Sequence, residues 1–377
     1  VKVPTLEDLG DVADRRVLLR ADFNVPIRDG QVVDDFRIRA TLPTIEWLTE
    51  QGATVTACSH LGRPKGKPDP RYSMEPVRKV LAELAPGVEL LENLRFDPGE
   101  EDNDPAFVLR LIAGQDLYVN DAFGASHRAH ASVVGPPQFV PSAAGRLLQR
   151  EIEVLSPLRT DPARPFVEIL GGAKVSDKLG VIDALLAVAD SLIIGGGMCF
   201  TFLKAQGHSI GSSLVEQDLV ETCRALLEGP DGERLHLPLD LTALGPGGEI
   251  GHPAAGGEVR QTGVDLPDGW MGLDIGPGSA AAFGDLILEA RTVFWNGPMG
   301  VFEDPRFAAG TRAVAEVMAD TRAFTVVGGG DSAAALDQFG LARDIDHVST
   351  GGGASLELLE LGDLPGLEAL RKAPNAR

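Results

Sequence analysis

Short runs of aliphatic and β-branched residues alternate along this chain with Gly-rich or polar turns, and then with apolar positions spaced three and four apart. In the first part the runs fall at residues 17–23, 53–59, 88–91 and 117–120, and the helical spacing at 38–50, 75–84 and 106–113. Short apolar runs bounded by turns have the length and pattern of buried strands, and the longer stretches with a period near 3.6 are helical. Alternation of this kind predicts parallel sheets covered on both faces by helices. In such sheets ligands bind beyond the carboxyl ends of the strands, so the residues that follow each run are the ones to inspect.

The alternation is interrupted by Gly135-Pro-Pro-Gln-Phe-Val-Pro141. From Ser142 an amphipathic helix is expected, with Leu147, Leu148, Ile152 and Leu155 on one stripe, before Pro157 and Pro162-Ala-Arg-Pro165 reset the chain. One helix between two turn-rich boundaries reads as a connector between domains, although an ordinary surface helix has the same pattern. A strand at 166–170 then stops at Gly171-Gly172, and a helical pattern (Val175, Leu179, Ile182, Leu185, Leu186) is read directly after it. On that reading Lys174 and Lys178 share one helix face at the wrong end of the dipole for cations, a penalty that a bound anion removes. Two solvated lysines beside a tight turn are the plainer reading of this stretch taken alone.

Cationic and hydrogen-bonding groups follow the strands of the first part. They are Arg20-Ala-Asp22-Phe23-Asn24, then Ser59-His60-Leu61-Gly62-Arg63, then Asn93-Leu-Arg95, then His127-Arg128-Ala-His130, with Arg37 opening the first helix. Any one of these is more often structural, but several segments bringing Arg or His to one sheet edge describe a pocket for a small, highly anionic substrate, because the planar guanidinium matches carboxylate and phosphate oxygens. The His127-x-x-His130 pair has no further ligand at metal spacing, so zinc is not expected.

The second part carries different groups at its strand ends. Gly195-Gly-Gly197, Gly272-Leu-Asp-Ile-Gly276, Asn296-Gly-Pro298, Gly328-Gly329-Gly330-Asp331-Ser332 and Gly351-Gly-Gly353 each join an apolar run to a Gly-rich turn. Helix starts of this type let backbone N–H groups approach phosphate oxygens, and apolar glycine-lined walls suit a flat purine. The P-loop and G-x-G-x-x-G fingerprints are absent. Asp331 is placed to hold Mg²⁺ beside phosphates, and is equally a helix cap. Residues 241–269 read as loops with a short hairpin and give no functional signal.

Composition narrows the picture. A net charge of −21 over 377 residues argues against nucleic acid or an anionic membrane surface as partner. No apolar run reaches the roughly 18 residues of a membrane span and the first residues lack a signal-peptide pattern, so a cytoplasmic protein is expected. Cys58, Cys199 and Cys223 are few and far apart, as for reduced packing residues. A nicotinamide-dependent dehydrogenase would also be α/β and glycine-rich, but lacks support without its fingerprint.

Long and uncommon motifs then point to one family. Arg20-Ala-Asp-Phe-Asn-Val-Pro26, Ser59-His-Leu-Gly-Arg-Pro64, His127-Arg-Ala-His-Ala-Ser132, Gly171-Gly-Ala-Lys-Val-Ser-Asp-Lys178, Trp295-Asn-Gly-Pro-Met-Gly-Val-Phe-Glu303 and His347-Val-Ser-Thr-Gly-Gly-Gly353 occur in one order. The chain resembles the phosphoglycerate kinases from about residue 14 to 365. The resemblance implies an α/β fold of two Rossmann-like domains joined by a connecting helix. Their expected bounds are 1–141 for the 3-phosphoglycerate domain, 142–156 for the connector and 157–360 for the nucleotide domain, with a tail, 361–377, returning to the first. It implies a monomer that transfers a phosphoryl group reversibly between 1,3-bisphosphoglycerate with ADP and 3-phosphoglycerate with ATP, using Mg²⁺ and only small-molecule partners. Carried over by motif, Asp22, Phe23, Asn24, Arg37, His60, Leu61, Gly62, Arg63, Arg95, Arg128 and His130 bind 3-phosphoglycerate. Gly172, Lys174, Lys178, Gly197, Gly272, Asn296, Glu303, Gly329, Gly330, Asp331 and Ser332 serve the nucleotide, with Glu303 on the ribose and Asp331 on the metal. Arg37 and Lys174 are the expected catalytic pair. A catalytically silent relative that only binds phosphometabolites is the alternative, and such a copy is expected to have lost Lys174, Arg37 or Asp331, all of which are present.

Overall fold

The computed structural model describes residues 2–253 and 256–374. The chain divides into two compact units, Val1–Ser156 with Leu361–Arg377, and Pro157–Glu360. The first contains β1 (Arg16–Arg20), a small hairpin of β2 (Ile27–Arg28) and β3 (Gln31–Val32), α1 (Phe36–Glu50), β4 (Thr54–Cys58), α2 (Glu75–Leu84), β5 (Glu89–Leu90), α3 (Pro105–Leu111), β6 (Leu117–Asn120), α4 (Ala131–Val134), β7 (Ser142–Ala144) and the start of α5 (Arg146–Thr160). Five strands pair in parallel in the order β5-β4-β1-β6-β7. Chain order reverses between β1 and β6, which opens a crevice at their carboxyl ends. All four residues of β6 are buried, as a strand covered on both faces requires. Val17, Leu19, Val55 and Val119 of the sheet share a core with Ile38, Ile45 and Leu48 of α1 and Val77 and Leu81 of α2.

Three expectations are corrected here. The first strand ends at Arg20, short of residue 23, because the Phe23 N–H donates to Ser59 Oγ (2.8 Å) and leaves the ladder. Residues from Ser142 form the edge strand β7, and the helix starts only at Arg146. Its first free N–H groups are met from other elements: Arg146 N by Thr44 Oγ1 at 2.8 Å and Leu148 N by Asp121 Oδ1 at 3.1 Å. Pro157 does not end α5, which runs on to Thr160; proline costs the helix a backbone bond but its fixed φ is helical.

The second unit contains β8 (Phe166–Leu170), α6 (Leu179–Leu186), β9 (Ser191–Ile194), α7 (Cys199–Ala205), α8 (Val220–Glu228), β10 (Leu235–His236), β11 (Asp240–Leu244), β12 (Val259–Gly263), β13 (Met271–Ile275), α9 (Pro277–Glu289), β14 (Thr292–Asn296), α10 (Ala309–Asp320), β15 (Phe324–Gly328), α11 (Gly330–Phe339), β16 (His347–Val348) and α12 (Gly352–Leu361). Its parallel sheet runs β10-β9-β8-β14-β15-β16, with the reversal between β8 and β14. Val167, Ile169, Val293, Trp295 and Val327 pack against Phe283 and Ile287 of α9, Val314 and Met318 of α10 and Leu336 of α11. The expected hairpin exists as β11 and β12, and β13 joins it as a third antiparallel strand rather than entering the parallel sheet. Ala254 and Ala255 of this stretch lie outside the described residues.

The last helix, α13 (Pro365–Arg371), packs on α4 in the first unit, with Leu364, Leu367 and Leu370 buried and the Gly366 N–H donating to Ser126 O at 2.9 Å. Residues 375–377 of the tail lie outside the described range. Cys58, Cys199 and Cys223 are free and buried, and burial pushes the Cys58 and Cys223 thiols up to about 12. Among the described residues no helix is long and apolar enough to cross a membrane.

Candidate active site

In the first unit the crevice between β1 and β6 gathers most of the predicted acceptor residues. Asp22, just past β1, is buried and accepts from Arg37 Nη1 at 3.0 Å; Arg37 is carried by the first turn of α1. Burial alone would raise the Asp22 carboxyl, but the positive charges of Arg37 and Arg20, with the Asn24 N–H that donates to it, outweigh burial and hold the group below its ordinary value. Asn24 Oδ1 accepts the Gly62 N–H at 2.8 Å, and Arg95 Nη1 donates to Gly62 O at 2.9 Å, so three separate segments meet at one glycine. Asn93 Oδ1 accepts the Leu61 N–H (3.2 Å) and its Nδ2 donates to Leu61 O (2.7 Å), which fixes the loop that carries His60. Phe23 and Leu61 are buried beneath these groups.

Arg63 and Arg128 are exposed on the same loops, with no side-chain hydrogen bond or ion pair to a described residue, which leaves their guanidinium donors free for a ligand. His127 and His130 are half-buried, and the Nδ1 atom of each is buried without a partner among the described residues. Burial and then the Arg128 charge push His127 down to about 4, and burial with the Arg95 and Arg20 charges depresses His130. No cluster of three or more metal-ligating side chains occurs among the described residues. Arg20, Ser59 and Asn93 stand in the strand-end segments read from the sequence but were left out of the residues assigned to 3-phosphoglycerate. The first two lie inside the motifs used, but nothing in a sequence shows that their side chains turn back toward the crevice.

In the second unit the ends of β8 and β14 touch. A Cβ on Gly171 would lie 2.1 Å from the Pro298 carbonyl oxygen, so only glycine lets the two backbones approach this closely. The expected helix face for Lys174 and Lys178 does not exist, because α6 begins at Leu179 and both lysines stand in the loop before it. That loop separates them. Lys174 is exposed and has no side-chain hydrogen bond to a described residue. Lys178 Nζ donates to Gly171 O (2.7 Å), Asn296 O (2.8 Å) and Asn296 Oδ1 (2.7 Å), and burial pulls its ammonium down to about 8. All three of its donors thus tie the two strand ends together.

Beside these ends lies a cavity of about 460 Å³ whose walls include Gly172, Gly197, Gly272, Glu303 and Asp331. Lys174, Lys178, Asn296, Gly329, Gly330 and Ser332 are not on its walls; the lysines sit in the adjoining loop, Asn296 ends β14, and Gly329, Gly330 and Ser332 stand at the start of α11. Ser332 Oγ accepts the Gly297 N–H at 2.6 Å, which joins the start of α11 to the end of β14. The walls also hold Pro298 and Val301, which lie inside the Trp295–Glu303 motif, and Leu214, Ile250 and Met271, which sequence reasoning missed. Those last three come from loops and from the antiparallel sheet, where no local pattern marks them. Asp274, on the same wall, is buried and pushed up to about 7 despite accepting from Gly310 N and Ile275 N. The amino ends of α11 and α12 also meet: a Cβ on Gly352 would fall 2.5 Å from Gly329 Cα. Two helix starts in contact, with an open apolar cavity near them, suit a phosphate chain attached to a planar base.

The phosphoglycerate kinase family profile matches residues 6–89 and 84–361. The phosphoglycerate kinase of Rubrobacter xylanophilus is 53% identical over 384 aligned residues, covering 96% of each chain. That of Salinispora tropica is 53% identical, covering 98% of this chain and 99% of its own. Among solved structures, phosphoglycerate kinase from Coxiella burnetii superposes with a TM-score of 0.87 at 37% identity, covering 98% of this chain and 99% of that one. The enzyme from Pyrococcus horikoshii OT3 gives 0.83 at 31% identity, with 98% of both chains covered. Agreement of this length, with the profile entering both units, places the two crevices in a known context: the chain belongs to the phosphoglycerate kinase family.

Proposed function

We propose that the first-unit crevice binds 3-phosphoglycerate, that the second-unit cavity binds ATP or ADP, and that this phosphotransferase moves the γ-phosphoryl group of ATP onto the substrate carboxylate. The observation that carries this reading is the division of chemistry between two sheets of like topology, each with its groups at its own switch point. One offers Arg, His and Asp side chains, and the other offers glycines, helix starts and an apolar wall.

The step breaks the bond between the β–γ bridging oxygen and the γ-phosphorus, and forms one from a carboxylate oxygen to that phosphorus. ADP leaves and an acyl phosphate is formed; the reverse step regenerates ATP. The attacking carboxylate is already ionised at neutral pH, so no general base is required. The protein's task is positioning, charge neutralisation and exclusion of water. Arg37, braced by Asp22, and Lys174, exposed and without a side-chain hydrogen bond to a described residue, are the cations assigned to the transferring group. Glu303 on the cavity wall is assigned to the ribose.

Asp331 is exposed in the first turn of α11 and lines the cavity. A single carboxylate beside phosphates fits Mg²⁺, which keeps several waters and takes its other ligands from the nucleotide. When bound, the ion would neutralise phosphate charge. The chain is read as a cytoplasmic monomer whose two units move as ligands bind.

The direct test is ADP formation from ATP with Mg²⁺, with and without 3-phosphoglycerate, run beside Lys174→Ala. Turnover that needs the acceptor and falls in the variant supports the assignment. Turnover independent of 3-phosphoglycerate, or unchanged in the variant, overturns it.

A further inference from the structure

Arg20, the last residue of β1, is completely buried, and its guanidinium is engaged on every side within the first unit. Nε donates to Ser132 Oγ at 2.8 Å, Nη1 donates to the Ala21 carbonyl, and Nη2 stands 3.2 Å from His60 Nδ1. Glu100, also completely buried, lies 3.9 Å from Nη2. Its carboxyl accepts from Ser132 Oγ at 2.6 Å and from Ser132 N at 2.8 Å, and the Tyr118 hydroxyl donates to Ser132 O at 2.7 Å. A continuous buried chain therefore runs from Glu100 through Ser132 and Arg20 to the ring of His60.

The direction of the last bond follows from chemistry. A guanidinium has five N–H donors and no acceptor, so the ring nitrogen facing it must supply the lone pair. Protonated Nδ1 would set two donors against each other inside a buried site. The ring proton then resides on Nε2, which has no hydrogen-bond partner among the described residues. We propose that Arg20 is a positioning residue that locks His60 as its neutral Nε2–H tautomer, with Glu100 as the buried counter-charge, so that the ring meets the acceptor substrate as an uncharged hydrogen-bond donor.

The groups facing His60 agree with this. Arg20 comes from β1, Arg95 from the turn after β5 and Arg37 from α1, against the carboxylate of Asp22 from the loop after β1. Burial and the three cations outweigh that carboxylate and depress the ring's proton affinity. The consequence is functional. A ring of ordinary proton affinity would change charge near pH 6.5, whereas the locked ring keeps one donor pattern across the neutral range.

The inference rests on the reading of this crevice as the 3-phosphoglycerate site, and the test separates the two. Nitrogen-15 spectra of the histidine rings in the intact, ligand-free protein, with the His60 signal identified by its loss in His60→Gln, are expected to show protonated Nε2 and unprotonated Nδ1 from pH 5.5 to 8. A ring that titrates near its ordinary value, or carries its proton on Nδ1, overturns the proposal without any activity measurement. In Arg20→Lys the fork is lost, so mixed tautomers are expected together with a KM for 3-phosphoglycerate raised about tenfold, the effect of one charge-assisted hydrogen bond. The KM for ATP is expected to stay unchanged. Should that variant not fold, Ser132→Ala, which removes the hydroxyl between Glu100 and Arg20, is expected to move the same two readouts in the same direction by a smaller amount. A raised KM in His60→Gln with none in the variants of the chain sinks the positioning role. An unchanged KM in His60→Gln itself shows that the crevice assignment has failed.

Discussion

Lys174 and Lys178 look alike in the sequence and are opposites in the structure. Lys174 makes no side-chain hydrogen bond or ion pair to a described residue beyond a through-space attraction to Glu216, so its removal costs the folded state little. As a preorganised charge at the transferring group, its loss is expected to lower kcat by about 10²–10³-fold. Lys178 satisfies three acceptors at the ends of β8 and β14. Lys178→Met leaves them unpaired and is expected to cost about 1–3 kcal/mol of stability, whatever it does to the rate. Chemical denaturation beside steady-state kinetics decides between them. A Lys174→Ala protein as destabilised as Lys178→Met would refute the distinction. Glu168 is the other residue to separate from its neighbours. It sits in the middle of β8, completely buried, with neither carboxyl oxygen hydrogen-bonded to a described residue, and burial raises its proton affinity well above the ordinary carboxylate value of 4.5. The folded chain holds this proton after the unfolded chain has released it, so stability from this group falls as pH rises above about 4.5. Glu168→Gln is isosteric and cannot ionise. Its melting temperature is expected to match the parent at pH 4.5 and exceed it at pH 8; equal values at both would show that Glu168 does not titrate abnormally. The motifs named Lys174 and Lys178 together, but only packing shows which ammonium is already committed.

At the scale of elements, strand and helix identities followed from periodicity where the chain is buried on both faces. β6 and α2 have the bounds their apolar patterns predict, as does β8. The misses occur where a partner from far along the chain decides. β7 takes its place from pairing with β6, the late start of α5 depends on Thr44 and Asp121, and β13 takes its place from pairing with β11. α6 starts after Lys178 because that side chain caps the strands and its loop stays irregular. The contact between α11 and α12 is of the same long-range kind. Gly352→Ala would drive a Cβ into the Gly329 backbone, which cannot rotate away as a side chain would. Overpacking of this type costs about 1–3 kcal/mol. The variant is expected to melt lower and to raise the KM for ATP while leaving that for 3-phosphoglycerate unchanged. A selective rise for 3-phosphoglycerate would contradict the placement of the nucleotide phosphates at these helix starts.

For the whole molecule, the two proposed half-sites belong to different compact units, while in-line transfer needs reacting atoms within about 3–3.5 Å. Solution X-ray scattering is therefore expected to show a smaller radius of gyration with 3-phosphoglycerate and a nucleotide analogue together than with either alone. Identical curves in all four states would rule out ligand-driven closure. The sequence by itself determined the α/β class, the family and the two groups of chemical residues, because strand-end motifs are local and hydrophobic period reports burial directly. It also placed Arg37, Asp22, Asn24 and Asp331 in their crevices, since each lies within a few residues of a strand or helix end that the pattern locates. Only the tertiary structure decided that Lys178 is a brace and that Leu214, Ile250 and Met271 wall the cavity. It alone joined Arg20 to Glu100 through Ser132. Those facts depend on contacts across tens to more than a hundred residues, and the direction in which a buried side chain turns is set by the neighbours that satisfy it, not by its own position in the chain.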